Sequence, residues 1–597
     1  MGAAVIAALF TLLTASTLAP EVVAPDTARF QQGIDYRIEA RLDEATQVLH
    51  GRARLRYANN SPRSLDTLYF HHHLNAFRPN SAWARRELEF GNRRFQDQGP
   101  QDHAFERFRS VEVGGRAVQP LYPGAPDSTV VAIPLPAPLA PGQSTELRME
   151  WDARLSTTPR RQGRRDRHYD WAHWYPRIAV YDREGWQHHP LMPQGEFFGE
   201  FGDYDVTLDL AEDQVIGSTG VPIEGDPGWE RARARGEIHY RRDAYPAREV
   251  EALGLLTGAP AAGRKRIRWR AEDVIHFAWA ADPEFVYEGG LWRQIPVHVL
   301  YQRAAAQDWG NGVALERTFN AMEWTDTIFG PYLYPQITNL HRLDAGGTEF
   351  PMMIMDASAS QGLIVHEILH QYAHGILANN EWREGWLDEG LTSFLTDWYF
   401  EAQGQQEVWA RSLEGARARE RAGLTQPVAT PGAEFVDFPT YTSMTYTKAA
   451  LTFRMLRWLV GEETMRRTLR TYYDRHQLQH LDEQDFRRAV NDVSGRNLDW
   501  FFDQWLYTTH TLDYGIAEAQ TQRLPDGRWR TRVTVLRLGN AWMPVELQVG
   551  ETRRRLESRE RRQVVEVVTR ERPRESVLDP EDVLLDLDPT NNRRAIS

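Results

Sequence analysis

The chain has no cysteine among its 597 residues. Disulfide bonds, thiolate metal sites and a cysteine nucleophile are therefore excluded. Any metal ion must be held by histidine and carboxylate side chains. The sequence also has no tract dominated by glycine or proline, and its 41% hydrophobic and 26% charged residues exclude the fibrous and disordered classes.

The chain lacks an unopposed block of positive charge as well. Its formal net charge is -13, and its most arginine-rich stretch, residues 553–562, interleaves arginine with glutamate. Binding to a nucleic acid backbone requires clustered positive charge. We therefore expect no nucleic acid partner.

Long apolar runs are missing beyond the N-terminus, where no stretch approaches the roughly 18 residues that a membrane helix needs. We expect a soluble mature chain without a stable membrane span. Residues 3–19, by contrast, are small or apolar, with no charge before Glu21. This pattern predicts a signal peptide over residues 1–24 and export to the periplasm or the extracellular space. The alternatives are an uncleaved anchor, or a misplaced start codon and a cytoplasmic protein.

Between residues 30 and 285 the sequence alternates with a period of two. In residues 52–57, Ala53, Leu55 and Tyr57 share one face of a predicted strand and three arginines share the other. Similar runs occur at residues 129–134, 146–151, 204–210 and 265–270. We predict an N-terminal antiparallel β-sandwich over residues 25–290.

Between residues 300 and 510 the apolar residues recur with the spacing of an α-helix. Phe486, Ala489 and Val490 follow helical spacing behind Asp482, a predicted N-cap, and ahead of a predicted helix end at residues 494–495. Residues 447–460 and 462–473 show the same spacing. Alternation returns at residues 531–535 and 543–549. We predict an α+β multidomain protein with a mostly helical domain over residues 291–512 and a small C-terminal β domain over residues 513–597.

Residues 363–373 carry the most informative pattern. Residues four apart share one face of a helix, so His366 and His370 can bind one metal ion at about 2.0–2.1 Å. Glu367 is rotated by about 100° from His366, which keeps it out of the ligand set but within reach of a metal-activated water. Its predicted role is general base.

A catalytic zinc ion usually has three protein ligands, so one ligand is still to be found. A third histidine placed as in metzincins is excluded, because Ala373 and Ile376 occupy those positions. Glu389 follows His370 after eighteen intervening residues. That length suits two packed helices joined by a turn-back loop at residues 379–383, and Glu389 is the predicted third ligand.

Other polar residues are weaker candidates. His374 lies one turn further along the same helix, where a packed or solvent-capped histidine is the more common outcome. Residues able to support the metal-binding histidines are Thr392, Ser393 and Asp397. The histidines in strand-like segments lack ligand spacing and are interpreted as structural: His71, His72, His73, His188 and His189.

The motif from His366 to His370, followed by Glu389 in a Trp-Leu-Asp-Glu-Gly segment, resembles the gluzincin peptidases, in particular the family of aminopeptidase N and leukotriene-A hydrolase. Residues 346–351, Gly-Gly-Thr-Glu-Phe-Pro, are similar to that family's exopeptidase strand. Residues 446–448, Tyr-Thr-Lys, are similar to its tyrosine motif. Residues 501–507 are similar to the segment that closes its catalytic region.

This resemblance implies a saddle-like N-terminal β domain, a thermolysin-like catalytic domain and a trailing C-terminal portion. It also implies that Glu349 binds the free α-amine of a substrate, that the backbone of Gly346 and Gly347 aligns the peptide as an added strand, and that Tyr446 hydrogen-bonds the developing oxyanion. Thr348 and Phe350 depart from the family's motif at positions that bear on substrate preference more than on catalysis, and the departure at Ala449 is minor.

Three points stay open at this stage. Glu349 could be an ordinary surface carboxylate, and Tyr441 is either a second family tyrosine or a packed aromatic. The family's second amine-binding acid has two candidates, Glu196 and Glu200, near Phe197 and Phe198.

The sequence thus predicts one Zn²⁺ per chain and hydrolysis of peptide substrates by an aminopeptidase. Within enzymes, the alternatives are an endopeptidase or an ester or epoxide hydrolase that uses the same zinc. Outside enzymes, the alternative is a non-catalytic binding protein stabilised by zinc. The oligomeric state is not predicted.

Overall fold

The computed structural model describes residues 29–195, 197–248, 250–405 and 407–597. The predicted signal peptide lies outside these residues. Among the helices described, none is long and apolar enough to cross a membrane.

The N-terminal part is built mostly from strands. Its strands are β1 (Gly33–Asp43), β2 (Val48–Ala58), β3 (Leu65–His71), β4 (Phe105–Val113), β5 (Arg116–Ala117), β6 (Val130–Leu139), β7 (Ser144–Arg154), β8 (Gly163–Arg165), β9 (His168–Trp171), β10 (Arg177–Ile178), β11 (Val180–Asp182), β12 (Gly185–Gln187), β13 (Gly202–Ala211), β14 (Val215–Ser218), β15 (Val221–Glu224), β16 (Arg233–Gly236), β17 (Arg264–Val274) and β18 (Trp279–Asp282). Its helices are α1 (Ala82–Glu89) and α2 (Trp229–Ala232).

An eight-stranded sheet dominates this part, in the order β15-β17-β13-β1-β2-β7-β4-β5. Alternate residues of β2, including Ala53, Leu55 and Tyr57, are buried as predicted. The sheet is not purely antiparallel, because β1 pairs with β13 in parallel, with Asp35 opposite Asp203. This departure arises because β13 reaches β1 after a long excursion of the chain, and such a connection can deliver a strand in either direction.

Smaller sheets, in the orders β10-β3-β6 and β14-β18-β9-β8, form further layers of the N-terminal part. Indole rings join the layers. Trp151 on β7 donates its Nε1 hydrogen to the Trp174 carbonyl at 3.0 Å, and the Trp174 ring lies 6.1 Å from that of Trp279 on β18. The predicted β-rich N-terminal domain is confirmed.

The middle part is mostly helical. Its strands are β19 (Phe285–Trp292), β20 (Ile295–Gln302), β21 (Ile337–His341), β22 (Met353–Asp356), β23 (Leu377–Asn379) and β24 (Gln479–Leu481). Its helices are α3 (Ala306–Trp309), α4 (Val313–Phe329), α5 (Gln361–Ala373), α6 (Glu381–Gly385), α7 (Leu391–Ala402), α8 (Glu407–Arg421), α9 (Phe438–Thr442), α10 (Ala449–Val460), α11 (Glu462–His476), α12 (Glu483–Ser494) and α13 (Asp499–Tyr507). Two π-helical turns, Trp386–Gly390 and Ser443–Lys448, precede α7 and α10.

A five-stranded sheet, β16-β19-β20-β21-β22, supports this helical part. The predicted domain boundary at residue 290 lies inside β19, which pairs with β20 in a hairpin. The Asp482 side chain caps α12 by accepting from the backbone of Gln484 and Asp485, and Gly495 follows with a left-handed backbone at φ 66°. Both ends of α12 therefore lie where the sequence predicts them.

The connection between α5 and α7 differs from the predicted turn-back loop at residues 379–383. Asn379 ends β23, which pairs in parallel with β24, and α6 starts at Glu381. The backbone of residues 377–379 finds its partners about 100 residues later in the chain, at residues 479–481, so local spacing gives no sign of this strand.

The C-terminal part contains β25 (Tyr514–Arg523), β26 (Trp529–Arg537), β27 (Val545–Val549), β28 (Thr552–Leu556), β29 (Arg562–Thr569), β30 (Glu575–Leu578) and β31 (Arg593–Ala595). They form two sheets, β25-β26-β29 and β28-β27-β30-β31. The predicted C-terminal β domain is confirmed.

Candidate metal centre and active site

Helix α5 carries the first two candidate ligands. Its N-cap Ser360 accepts from the backbone of Leu363, and its apolar residues Ile364, Val365, Ile368 and Leu369 are buried. The same helical repeat leaves His366 and His370 side by side. Glu389, in the π-helical turn Trp386–Gly390, faces them from the next helical segment.

Three ligand atoms converge at this point. His366 Nε2 and Glu389 Oε2 are 3.1 Å apart, the two Nε2 atoms are 3.1 Å apart, and His370 Nε2 and Glu389 Oε2 are 3.2 Å apart. A tetrahedral ion with bonds of 2.0–2.1 Å would place its ligand atoms about 3.3 Å from one another. The three residues therefore fit a zinc ion.

The electrostatics of the trio favour a cation. Burial alone would raise the pKa of Glu389, but His370 and His366 hold it well below its usual range. Burial alone would lower the pKa of His370, but Asp388 and Glu389 raise it well above its usual range. Carboxylates that stabilise a proton on His370 would stabilise a metal ion in its place.

Two side chains orient His370 through its other ring nitrogen. Asp388 Oδ1 lies 2.7 Å from His370 Nδ1, and Thr392 Oγ1 lies 3.3 Å from the same atom. Thr392 was among the three predicted supports. Asp397 instead faces Ser412, and no contact places Ser393 at the site among the described residues.

Asp388 was missed by the sequence analysis. It is completely buried, which raises its pKa to about 7. The signal that could have found it is its position directly before Glu389, since the neighbour of a ligand in a tight turn can face the same group.

Glu367 lies at the centre of the candidate site, with 4% of its surface exposed. Burial raises its pKa well above the usual range, and the nearby charges of Glu349 and Asp356 raise it further against the opposing effect of His370. Gly347 lies directly against it, because a Cβ built on Gly347 would come within 2.1 Å of Glu367 Oε1. A carboxyl group of raised pKa beside a metal site suits a general base that later acts as an acid.

The segment of residues 346–349 passes the site alongside β22, outside any assigned strand, and Gly346 has a left-handed backbone at φ 71°. Thr348 exchanges both backbone hydrogen bonds with Met355, and the Gly346 carbonyl accepts from the Ala357 amide. In such a pairing the intervening residue, Gly347, turns its backbone groups to the opposite edge. Glu349 is 3% exposed, so it is a buried carboxylate and not a surface one.

Tyr446 lies on the other side of the metal ligands. Its hydroxyl donates to Glu389 Oε1 at 2.6 Å, and its ring is stacked 6.5 Å from that of His366. Tyr441 is 2% exposed and its ring packs edge-on against Tyr446 and Phe435. The π-helical turn Ser443–Lys448 sets the direction of Tyr446.

The remaining predicted residues lie elsewhere. Glu200 accepts from the Tyr181 amide and faces His480, away from the metal ligands, and Glu196 lies outside the described residues. His71 and His73 lie with their rings 4.4 Å apart beside the buried Arg177. His374 is completely buried and its Nδ1 contacts Glu381 Oε1, within a second group of polar side chains that includes Glu349 and Asp388.

Comparison with known proteins agrees with this geometry. Residues 351–505 match the model of the peptidase family M1 domain. That range contains His366, Glu367, His370, Glu389 and Tyr446. The part of the chain that holds the candidate site is thus similar to the peptidase family M1 domain.

Curated aminopeptidases match a part of the chain. The puromycin-sensitive aminopeptidase of Caenorhabditis elegans is 26% identical over 174 residues, which are 28% of this chain and 18% of that protein. Aminopeptidase N of Escherichia coli is 27% identical over 143 residues, which are 23% of this chain and 16% of that protein. The matches thus span less than a fifth of the length of these relatives.

Solved structures of M1 type share the fold over a longer range. Aminopeptidase A of Legionella pneumophila, solved with aspartic acid, aligns with a TM-score of 0.64 and 14% identity over 94% of this chain and 60% of that one. An M1 zinc metallopeptidase of Deinococcus radiodurans aligns with a TM-score of 0.53 and 14% identity over 81% and 95% of the two chains. The fold is therefore shared with these two solved structures over most of this chain.

Proposed function

We propose that the protein is a zinc-dependent aminopeptidase that removes residues from the N-terminus of peptides. The observation that carries the proposal is the convergence of His366, His370 and Glu389 within 3.2 Å of one another, with Glu367 and Tyr446 beside them. The names of the M1 relatives, which are aminopeptidases, support the same activity.

A zinc ion held by the three ligands would polarise the scissile carbonyl and lower the pKa of a water molecule towards about 7. Glu367 takes a proton from the attacking water and delivers it to the leaving amine. Tyr446 donates its hydroxyl hydrogen to the oxyanion that develops on the scissile carbonyl. Asp388 and Thr392 keep the His370 ring in its binding orientation throughout.

Recognition of the N-terminus rests on Glu349 and Gly347. A buried carboxylate such as Glu349 favours a positively charged partner, and the α-ammonium of a peptide meets that requirement. The backbone amide of residue 347, whose carbonyl accepts from Thr348 Oγ1 at 2.7 Å, can donate to an extended peptide. Together they would position the substrate so that the bond after its first residue lies at the metal ion.

The test compares unblocked aminoacyl-anilides with their N-acetylated forms before and after removal of metal by a chelator. We expect hydrolysis of the unblocked substrates, its loss with the chelator and its return with Zn²⁺. Strong inhibition by acetylation supports Glu349 as the amine-binding residue. Equal hydrolysis of acetylated peptides would instead indicate an endopeptidase, and absence of hydrolysis in the zinc-loaded protein would contradict the proposal.

Glu367→Gln separates catalysis from metal binding. It keeps the volume of the side chain but removes the proton acceptor, so we expect turnover to fall by about 100- to 10,000-fold. Zinc content should stay as in the unmodified protein. A Glu367→Gln protein that hydrolyses aminoacyl-anilides at the normal rate would show that another group is the base.

We also propose that the protein is exported. The support is the apolar run at residues 3–19, which ends at a small residue, Ala19, of the kind that signal cleavage requires. N-terminal sequencing of the protein from a periplasmic or culture fraction tests this, and a cytoplasmic protein that retains residues 1–24 would contradict it.

A further inference from the structure

The π-helical turn that contains Tyr446 packs against the π-helical turn that contains the metal ligand Glu389. The two turns are in direct contact at Gly390. A Cβ built on Gly390 would overlap the Cβ of Ala449 and come within 2.9 Å of the Thr445 carbonyl oxygen. The same packing brings the Tyr446 hydroxyl to 2.6 Å from Glu389 Oε1. The position of Tyr446 therefore depends on how its turn is held.

A buried ion pair holds the last residue of the Tyr446 turn. Lys448 Nζ lies 2.9 Å from Glu420 Oε1 of α8, and the two side chains are 1% and 2% exposed. Among the described residues, neither side chain forms another ion pair. Moving two charges from water into the protein interior costs free energy, which only a well-placed partner offsets. The ion pair therefore fixes the distance between the turn and α8.

Helix α8 is in turn fixed by two of its arginines. Arg417 donates to the Asp586 carbonyl of the C-terminal domain at 2.8 Å. Arg419 donates from Nη2 to Thr440 Oγ1 of α9, also at 2.8 Å. The helix thus contacts the C-terminal domain, α9 and the Tyr446 turn. We infer that it can act as a rigid support for that turn.

The geometry of the Tyr446 turn makes such a support necessary. A π-helical turn closes its hydrogen bonds over one more residue than an α-helix does, and it is rare in proteins. Successive residues of an α-helix are rotated by about 100°. A relaxation of the turn into α-helical geometry would therefore rotate Tyr446 away from its present direction. Lys448 lies at the boundary between the turn and α10, where its ion pair opposes this relaxation.

We propose that the ion pair of Lys448 and Glu420 positions the Tyr446 hydroxyl for the oxyanion of the reaction, an inference that rests on the proposed function. Both side chains are too buried to touch a substrate, so they are positioning residues that act through the Tyr446 turn. Catalytic groups have to be held within about 0.5 Å of their productive position, and a displacement of about 1 Å can cost a factor of about 100 in rate. Loss of the ion pair should therefore reduce turnover without removing the metal ion.

The experiment measures kcat, KM and zinc content for Lys448→Met and Glu420→Gln with an unblocked aminoacyl-anilide. Each substitution keeps the approximate volume of the side chain and removes one charge. We expect kcat to fall by about 10- to 100-fold, KM to stay within about threefold and zinc to remain at one ion per chain. A defect in substrate binding would raise KM instead. An unchanged kcat in both folded variants would overturn the inference.

The same substitutions are then introduced into Tyr446→Phe. If the ion pair acts through the Tyr446 hydroxyl, its removal has no hydroxyl left to displace, and we expect a further loss in kcat of less than about threefold. A general disturbance of the site would instead reduce kcat by the same factor in both backgrounds. Full multiplication of the two effects would therefore overturn the inference.

The double variant of Lys448→Met with Glu420→Gln separates positioning from stability. Each single variant leaves one buried charge without its partner, whereas the double variant leaves none. We expect Tm, measured by circular dichroism, to be higher in the double variant than in either single variant, while kcat stays low. Recovery of kcat together with Tm would assign the ion pair a purely structural role and overturn the inference. The double variant is also the test protein if the single variants do not fold.

The matched control is Glu401→Gln, which removes the ion pair between Glu401 of α7 and Arg457 of α10, at 2.5 Å. Glu401 lies far from the metal ligand Glu389, because the helical segment between them is about 18 Å long. This variant loses an ion pair of the same helical domain without affecting the Tyr446 turn. Its kcat should equal that of the unmodified protein.

The outcome is separable from that of the proposed function. If the unmodified, zinc-loaded protein does not hydrolyse unblocked aminoacyl-anilides, the proposed function fails and this inference fails with it. If the protein hydrolyses them and the variants give any of the overturning results, only the positioning role of the ion pair is refuted.

Discussion

Tyr446 shows how a single side chain can serve two states of the site. Its hydroxyl donates to Glu389 Oε1, the oxygen that faces away from the two histidines. In the substrate-free site the Tyr446 hydroxyl therefore restrains the Glu389 carboxylate. The same hydroxyl lies beside the position where an oxyanion would form. A donor already placed for charge that appears only in the transition state accelerates the reaction without tightening substrate binding.

Tyr446→Phe is expected to lower kcat by about 100- to 1,000-fold with a small change in KM, because only the hydrogen bond to the oxyanion is lost. Steady-state kinetics on an unblocked aminoacyl-anilide measures this split. Tyr441→Phe, which keeps the ring contacts with Tyr446 and Phe435, is the comparison and should retain kcat. An unchanged kcat in Tyr446→Phe would rule out its role.

Gly347 determines where the side chain of Glu367, the proposed general base, can lie. A Cβ at this position would come within 2.1 Å of Glu367 Oε1, so Gly347→Ala must displace that side chain. Since general-base catalysis contributes about 100- to 10,000-fold, we expect a loss of kcat in that range with metal content unchanged. Gly362→Ala on α5 is the control, because its Cβ would meet Phe400 at an ordinary 3.5 Å. Equal activity of both variants would contradict the packing argument.

At the scale of secondary-structure elements, His168 joins two strands of the N-terminal domain to the catalytic domain. Its Nε2 lies 2.8 Å from Asp170 Oδ1 on β9, and its Nδ1 lies 2.8 Å from Asp282 Oδ2 on β18. Asp170 in turn accepts from the Leu343 amide of the catalytic domain. Burial alone would lower the pKa of His168, but Asp170 and Asp282 outweigh it and raise the pKa to about 9.

This arrangement predicts that the free energy of unfolding decreases as the pH becomes alkaline. An unfolded histidine has a pKa of about 6.5, so the folded state binds the proton more tightly. The protonated His168 contributes at most about 3 kcal/mol to the free energy of unfolding. This contribution is fully present below pH 6.5 and is lost as the pH rises towards 9. Urea unfolding at several pH values measures it. His168→Gln, which carries no charge at any pH, should flatten the dependence, and an unchanged slope in that variant would assign the effect to another group.

At the scale of the whole molecule, arginines of the helical middle domain form hydrogen bonds with the C-terminal domain. Arg417 on α8 is 4% exposed and donates to the Asp586 carbonyl at 2.8 Å and to Asp582 Oδ1 at 2.5 Å. Arg454 on α10 donates to the Asp582 carbonyl at 2.9 Å. Leu584 and Leu585 are completely buried in the same region. The C-terminal domain is thus packed against α8 and α10, and α10 directly follows the π-helical turn that contains Tyr446.

Arg417→Ala is expected to lower the free energy of unfolding by about 2–4 kcal/mol, because it removes charge-assisted hydrogen bonds from a buried interface. Differential scanning calorimetry measures the loss as a lower Tm or a separate transition for the C-terminal domain. The control is Arg421→Ala, whose exposed side chain donates to the Leu587 carbonyl, and it should cost less than about 1 kcal/mol. Equal losses would show that burial does not decide the effect.

The sequence alone determined the features that depend on local periodicity. The burial of alternate residues on β2, the two ends of α12 and the pairing of His366 with His370 all follow from backbone repeats of two or 3.6 residues. These repeats are fixed by steric restrictions on the chain and survive in any tertiary context. The identity of Glu389 followed from the resemblance and from chain length.

Tertiary structure decided the features that join distant segments. The parallel pairing of β1 with β13 and of β23 with β24, and the contact of Asp388 with His370, are not visible in any local pattern. The assembly of Glu349, His374 and Glu381 with Asp388 belongs to the same class. Such contacts depend on how whole elements pack, because the direction of a side chain in space is set by the orientation of its element and not by its neighbours in sequence.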